Sequence, residues 1–165
     1  RSPVRFRQVL RRELSRSFDR GVVLAWRAER WLMRATGATH RGVQALAFTP
    51  TGELILLELR YLAGWHLPGG RRRRAEPPQT AMLRELREEL GAFAHGAVTR
   101  LATIHELSRG IRCEIELFRV DDCELPGRQR LNAEVRTVRA WPLDRLPERA
   151  AVARARLDLL GLAPD

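Results

Sequence analysis

Three glutamates, Glu85, Glu88 and Glu89, stand at i, i+3 and i+4 in the segment Met82 to Gly91. On a helix that spacing puts their carboxylates on one face. Carboxylates crowded in this way repel and raise one another's pKa, which makes sense when a divalent cation neutralises them. An all-oxygen donor set suits a hard ion such as magnesium, which keeps several waters and bridges to phosphate oxygens. Arg84 can pair with Glu88 along the same helix and hold it in place. Upstream, Gly69 and Gly70 let the backbone pass close to an ion and to phosphate. No Gly-Lys-Ser/Thr follows them, so a Walker-type loop is excluded.

Such a site needs a helix with a defined start and stop. Pro77-Pro78 suits a first helical turn, and Gly91 stands where a C-terminal cap belongs. Between them Thr80 to Leu90 reads as helix, with Ala81, Leu83, Leu86 and Leu90 available for packing. Arg71 to Arg74 reads as loop, since four adjacent like charges repel unless solvated. Strands are expected around Val43 to Phe48 and Leu54 to Leu59. The turn signal Thr49-Pro50-Thr51-Gly52 between them predicts that the two form a hairpin. A short apolar piece, Trp65 to Pro68, leads to the double glycine. Val98 to Leu107 and Ile111 to Val120 read as strands joined by a turn at Ser108-Arg109-Gly110, and Val135 to Trp141 as the last strand. Asp121 to Arg130 reads as loop, and Glu148 to Leu160 as a C-terminal helix. Cys113 alternates with Ile115 and Leu117 on what reads as the buried face of its strand, which would point Glu114 and Glu116 away from the core. Cys123 falls in a loop.

From Gly70 to Ala92 the chain reads GRRRRAEPPQTAMLRELREELGA. Gly70, Glu76, Arg84, Glu85, Leu86, Glu88, Glu89 and Gly91 stand at the spacings of the Nudix box, and the segment resembles that box at every fixed position. A helical Arg-Glu-Leu-Arg-Glu-Glu alone would be an ordinary charge-paired surface; the glycines and Glu76 at the right distances make the match specific. The departure is Ala92, where the family usually carries a larger aliphatic residue. The resemblance covers roughly Arg41 to the C-terminal helix, and Trp65 to Gly70 is similar to the strand that leads into the family's box.

That resemblance implies an α/β fold, an α/β/α sandwich with a mixed β-sheet, preceded here by an N-terminal amphipathic helical extension. Residues 1–40 would form the extension and 41–165 the hydrolase domain. It implies metal-dependent cleavage of a phosphoanhydride bond in a nucleoside diphosphate linked to another moiety: a nucleotide sugar, a dinucleotide or a nucleoside triphosphate. The ion would be Mg2+, or Mn2+. By position Glu88 and Glu89 would be its principal ligands, Glu85 a ligand or proton acceptor, and the Gly70 carbonyl a further donor. Glu76 would tie loop to helix and Arg84 would orient a ligand carboxylate. Many members take another acid from a loop before the last strand; Glu134 is the candidate here, with Glu106, Glu114 and Glu116 as rivals. Arg71 is the candidate phosphate contact and Trp65 the candidate base-stacking residue, with Phe118 as its rival. His66 and His105 read as strand residues without a site role. The alternative is a catalytically silent module of this fold that binds a nucleotide or RNA; intact Glu85, Glu88 and Glu89 argue against it.

All 30 basic residues are Arg, and the formal net charge is +10. That balance favours polyanionic partners without choosing among nucleotide, RNA and anionic lipid. A hydrophobic share of 44% over 165 residues supports one compact domain, and no apolar run approaches a bilayer-spanning length. Two cysteines are too few for a disulfide framework. Without a recognisable secretion signal, a cytoplasmic location is the default expectation. In the first 40 residues Leu10, Leu14, Phe18, Val22 and Trp26 recur every four residues, an apolar stripe on a basic helix, with Gly37 a plausible stop. Its partner would be the main domain or a second subunit, giving a homodimer; an anionic membrane surface and RNA are the alternatives.

Overall fold

The structure is a computed structural model and describes residues 21, 23–25, 27–28, 30–91, 94–108, 110–126, 132–148 and 150–162. The apolar stripe from Leu10 to Trp26 lies outside the described residues, as do Ala92, Arg109 and the end of the 121–130 loop. Residues 21, 23–25, 27–28 and 30–36 are helical, forming α1, which stops at Gly37, whose φ of 63° suits a residue without a Cβ. Then come β1 (His40–Ala47), β2 (Leu54–Leu59), β3 (Trp65–His66), β4 (Gly69–Arg71), α2 (Pro78–Leu90), β5 (Val98–Ser108), β6 (Ile111–Val120), β7 (Val135–Trp141), a short 3-10 turn (Leu143–Arg145) and α3 (Ala151–Leu159). No described helix is long and apolar enough to cross a membrane.

The strands form two sheets between helices. The first has the order β4-β1-β6-β5 and is mixed, with β1 parallel to β6. The second is the antiparallel set β3-β2-β7. The expected α/β/α sandwich is therefore present, with its sheet split in two. The expected hairpin of β1 and β2 is not. The turn exists, with Thr49 and Glu53 bonded across it at 2.9 Å, but it carries the chain from one sheet to the other, leaving a single bridge, Phe48 to Leu54. The reason lies in burial. Val43, Ala45, Leu46 and Ala47 are buried on both faces of β1, and Leu54 to Leu57 on both faces of β2. Strands apolar on both faces belong in sheet centres. Here β1 has β4 and β6 as neighbours, and β2 has β3 and β7.

Two apolar layers follow from the alternation of side chains. On one side Ala81, Met82, Leu86 and Leu90 of α2 pack on Val43, Ala45, Ile55, Leu57, Phe118 and Val138, which joins both sheets under one helix. On the other, Ala153 and Leu157 of α3 pack on Leu46, Leu54, Leu56 and Leu117. Met33 of α1 sits against Ile111, Cys113 and Ile115, so Cys113 is a core residue, as its alternation predicts. Glu116 departs from expectation. It is buried, on the β6 face that Phe118 shares and α2 helps to cover, with Arg100, Thr103 and Arg72 around it. Its carboxylate is satisfied by Arg100 Nε at 2.6 Å and by the Thr103 hydroxyl. Cys123 is in irregular chain as expected, yet fully buried.

Candidate active site

Helix α2 is fixed at both ends. Pro78 occupies its first turn, and Gly91, with φ at 86°, closes it by donating its N–H to the Arg87 carbonyl at 3.0 Å. Its buried apolar residues set the rotation, and that rotation turns Glu85 and Glu89 toward β4. Glu89 is buried, 5% exposed, and its Oε2 accepts the Gly69 N–H at 2.8 Å. Glu85 lies against Gly70 so closely that a Cβ built on Gly70 would stand 2.6 Å from its carboxylate. Gly69 has φ at 147°, and a side chain there would run into the Val43 carbonyl. The double glycine is thus required twice over, for backbone shape and for the space the acids occupy.

Arg84 organises the acids. Its Nε and Nη2 donate to the two oxygens of Glu76 at 2.9 and 3.0 Å, and its Nη1 donates to Glu85 at 2.7 Å and Glu88 at 3.4 Å. Nη2 also donates to the Arg71 carbonyl at 3.0 Å. Glu76 in turn accepts the Arg73 N–H at 2.9 Å. Loop, helix and β4 are therefore joined through one guanidinium, as the position of Glu76 and Arg84 in the box implies. The Arg84 contact holds the Glu76 carboxyl at about 2, far below its usual range, with the Arg73 N–H adding to it. Arg84 is itself pushed up, chiefly by Glu76.

The other acids shift the opposite way. Burial raises Glu89 well above the ordinary carboxylate value; the Gly69 N–H offsets this in part, and the charges of Glu85, Glu134 and Glu88 add to it. Burial also raises Glu85, opposed by Arg84 and reinforced by Glu88 and Glu134. Glu134 therefore belongs to the same electrostatic cluster, although it arrives from the segment before β7. Among the described residues no three His, Cys, Asp or Glu side chains are arranged to hold a metal ion as they stand. The donor chemistry nonetheless fits one: crowded oxygens with elevated proton affinity, beside a glycine whose missing Cβ leaves room for close approach.

One residue of the cluster is not visible in the sequence pattern. Tyr61 is hydrogen-bonded through its side chain to Glu134, and its hydroxyl is held protonated by burial first and then by the charges of Glu134, Glu89 and Glu85. The contact arises because β2 and β7 pair antiparallel and the ladder runs on past a bulge, with the Arg60 N–H donating to the Glu134 carbonyl at 2.9 Å. Asn132 Oδ1 accepts the N–H groups of Glu134 and Val135, both at 3.0 Å, and fixes that corner. Knowing the β2–β7 register would have found Tyr61; no local signal does.

The remaining candidates divide. Arg71, at the end of β4, and Arg72 to Arg74 line an open cavity of about 390 Å³ together with Arg84 and Glu85. Trp65 packs in the α3-side layer, edge-on to Trp141 with ring centroids 5.3 Å apart, and is not brought to the acids. Phe118 is fully in the core. Glu106 pairs with Arg156 of α3 at 2.8 Å, and Glu114 with Arg41 at 3.6 Å. His66 contacts the Ala63 carbonyl. A larger hollow, about 670 Å³, lies between Thr51–Glu53 and Pro142–Asp144, but the charged groups of that lining, Glu53 and Asp144, are both acidic and would repel phosphate.

A sandwich of this topology, with an acid-rich helix set behind a double glycine, brings Glu85 and Glu89 into one acidic site. The model of the NUDIX domain matches residues 38–160, and the chain belongs to the Nudix family. Solved structures agree on the fold. A MutT NUDIX hydrolase from Burkholderia pseudomallei aligns with a TM-score of 0.63 and 24% identity over 73% of this chain and 97% of its own. The NUDIX domain of Shewanella oneidensis NrtR, solved with ADP ribose, aligns at 0.55 and 21% identity over 74% and 89%. A UDP-X diphosphatase aligns at 0.57 and 19% identity over 82% and 68%. A search of curated proteins returned no match.

Proposed function

We propose that this protein hydrolyses a phosphoanhydride bond in a nucleoside diphosphate linked to another moiety, with magnesium or manganese as its ion. One observation carries the reading: Glu85 and Glu89 converge on Gly69-Gly70 with raised proton affinity, while Glu88 and Glu85 are steered by an Arg84 that Glu76 holds. Glu88, Glu89 and Glu85, with the Gly70 carbonyl, would hold the ion, which when bound shields phosphate charge and acidifies a water. Glu134 would serve as proton acceptor for the attacking water or as a further ligand, with Tyr61 orienting its carboxylate. Arg71 contacts phosphate oxygens. Trp65 is not carried into the mechanism, since Trp141 already engages its ring. Positioning and charge stabilisation do most of the work, and proton transfer contributes on the order of 10²–10⁴-fold.

The test is a panel of nucleoside diphosphate derivatives incubated with Mg2+ or Mn2+ and read by product mass. Turnover should require the ion and vanish in Glu88→Gln/Glu89→Gln. Undiminished turnover in that variant would remove the mechanism. Tight nucleotide binding with no product under either ion would make the chain a binding module instead.

A further inference from the structure

Four consecutive arginines border the acids, and nothing in the hydrolase mechanism needs more than one of them. Their backbone is held firmly. The Arg72 N–H donates to the Arg41 carbonyl at 2.9 Å, the Arg73 N–H to Glu76 at 2.9 Å, and the Arg71 carbonyl accepts from Arg84 at 3.0 Å. A tightly tied loop that nevertheless leaves Arg71, Arg73 and Arg74 exposed is preorganised for an anion, because little order remains to be imposed on binding. Arg72 is electrostatically committed, since its charge acts on the buried Glu116 carboxylate. Arg73 and Arg74 are exposed. The Arg73 contact to Glu88 is 3.6 Å between side chains 68% and 45% exposed, a pair weak enough to exchange for a better anion. The cavity of about 390 Å³ is lined by these arginines together with Arg84 and Glu85, so one space joins the cationic run to the edge of the acidic site.

We propose that the Arg71–Arg74 cavity is a subsite for a phosphate chain extending beyond the cleaved linkage, so that preferred substrates carry three or more consecutive phosphates. The proposal rests on the hydrolase reading for which bond is cut, but not for binding. Guanidiniums match phosphate oxygens in two-point contacts, and each added phosphate brings charge that relieves the mutual repulsion of the run. A nucleoside triphosphate and the 5′-triphosphate end of an RNA offer the same chemistry.

Calorimetry on the full chain with Mg2+ tests it, using orthophosphate, pyrophosphate and inorganic tripolyphosphate as probes. Affinity should rise about tenfold from pyrophosphate to tripolyphosphate, the gain of one charge-assisted contact. Arg73→Ala/Arg74→Ala should erase that gain and flatten its salt dependence, and Arg74→Glu should reverse it. Affinity independent of chain length, or a wild-type gain in both variants, overturns the subsite. Tighter binding of a 5′-triphosphorylated oligonucleotide than of a nucleoside triphosphate supports an RNA source; equal binding supports a free nucleotide. If the substrate panel gives no product while the chain-length gain stands, the hydrolase reading fails and the subsite survives. Normal turnover with a flat chain-length series has the reverse meaning.

Discussion

Arg84 and Glu76 meet at two points, guanidinium Nε and Nη2 on the two carboxylate oxygens, with both side chains largely shielded from solvent. A lysine cannot reproduce this fork. Arg84→Lys should cost about 1–3 kcal/mol of stability, as expected for a lost charge-assisted contact, and should lower turnover because Glu85 and Glu88 lose their guide. Denaturant unfolding and steady-state rates on the same preparation check both. Glu76→Gln keeps the shape and removes the charge. Because Glu76 is depressed from 4.5 to about 2, its contribution is complete above the ordinary value and is lost as pH falls through that window. The variant should therefore be less stable at neutral pH and lose less stability on acidification. A parallel decline of both proteins would contradict the pairing.

The two glycines should fail differently. Gly70→Ala places a methyl group against the Glu85 carboxylate, which must move, while the backbone conformation at that position remains accessible. On the proposed role of Glu85 such a displacement costs about 10²-fold in rate, so activity should collapse with a small change in Tm. Gly69→Ala meets both a left-handed φ and the Val43 carbonyl, so it should lose on the order of 1–3 kcal/mol or more of stability. Thermal unfolding beside turnover separates the two.

Tyr61→Phe removes a hydroxyl and leaves the ring. Loss of its hydrogen bond to Glu134 should reduce kcat by about tenfold with KM changed less than about twofold, and should move the limb of the pH–rate profile that reports the proton acceptor. An unaltered profile would leave Tyr61 a packing residue.

Cys123 is buried, and its thiol is pushed up from 9.0 to about 11, mainly by burial and then by Asp121 and Asp122. A raised value means the fold prefers the protonated thiol, so stability is intact below 9.0 and declines as pH rises from there to about 11. Cys123→Ala should start slightly less stable, by about 1 kcal/mol for a small cavity, and show a shallower alkaline loss. Unfolding midpoints across that range measure it.

What the sequence disclosed was local. The period of Ala81, Leu86 and Leu90, the prolines before them and Gly91 after them define α2, and β2 and β7 begin and end where their residue types say. The box spacing likewise marked Glu76, Arg84 and the three glutamates. What it concealed was pairing. Nothing near Thr49-Gly52 tells β2 to leave the sheet of β1, because the instruction lies in β6 and β7, far along the chain. Tyr61 was hidden for the same reason, since its partner is Glu134. Glu116 misled because alternation marks two faces without saying that α2 covers both of the sheets it bridges.

The side-by-side ladder of His40–Ala47 with Ile111–Val120 has a bearing on how the protein is made. A ribosome releases Pro78–Leu90 well before the second of those strands emerges, so Ala81, Met82, Leu86 and Leu90 have Val43, Ala45, Ile55 and Leu57 to pack on while Phe118 and Val138 are still missing. Assembly is late and depends on distant partners, the condition under which folding slows and sticky intermediates persist. Stalling or truncation inside Ile111–Val120 would leave that helix with only part of its floor, a target for chaperones and proteases.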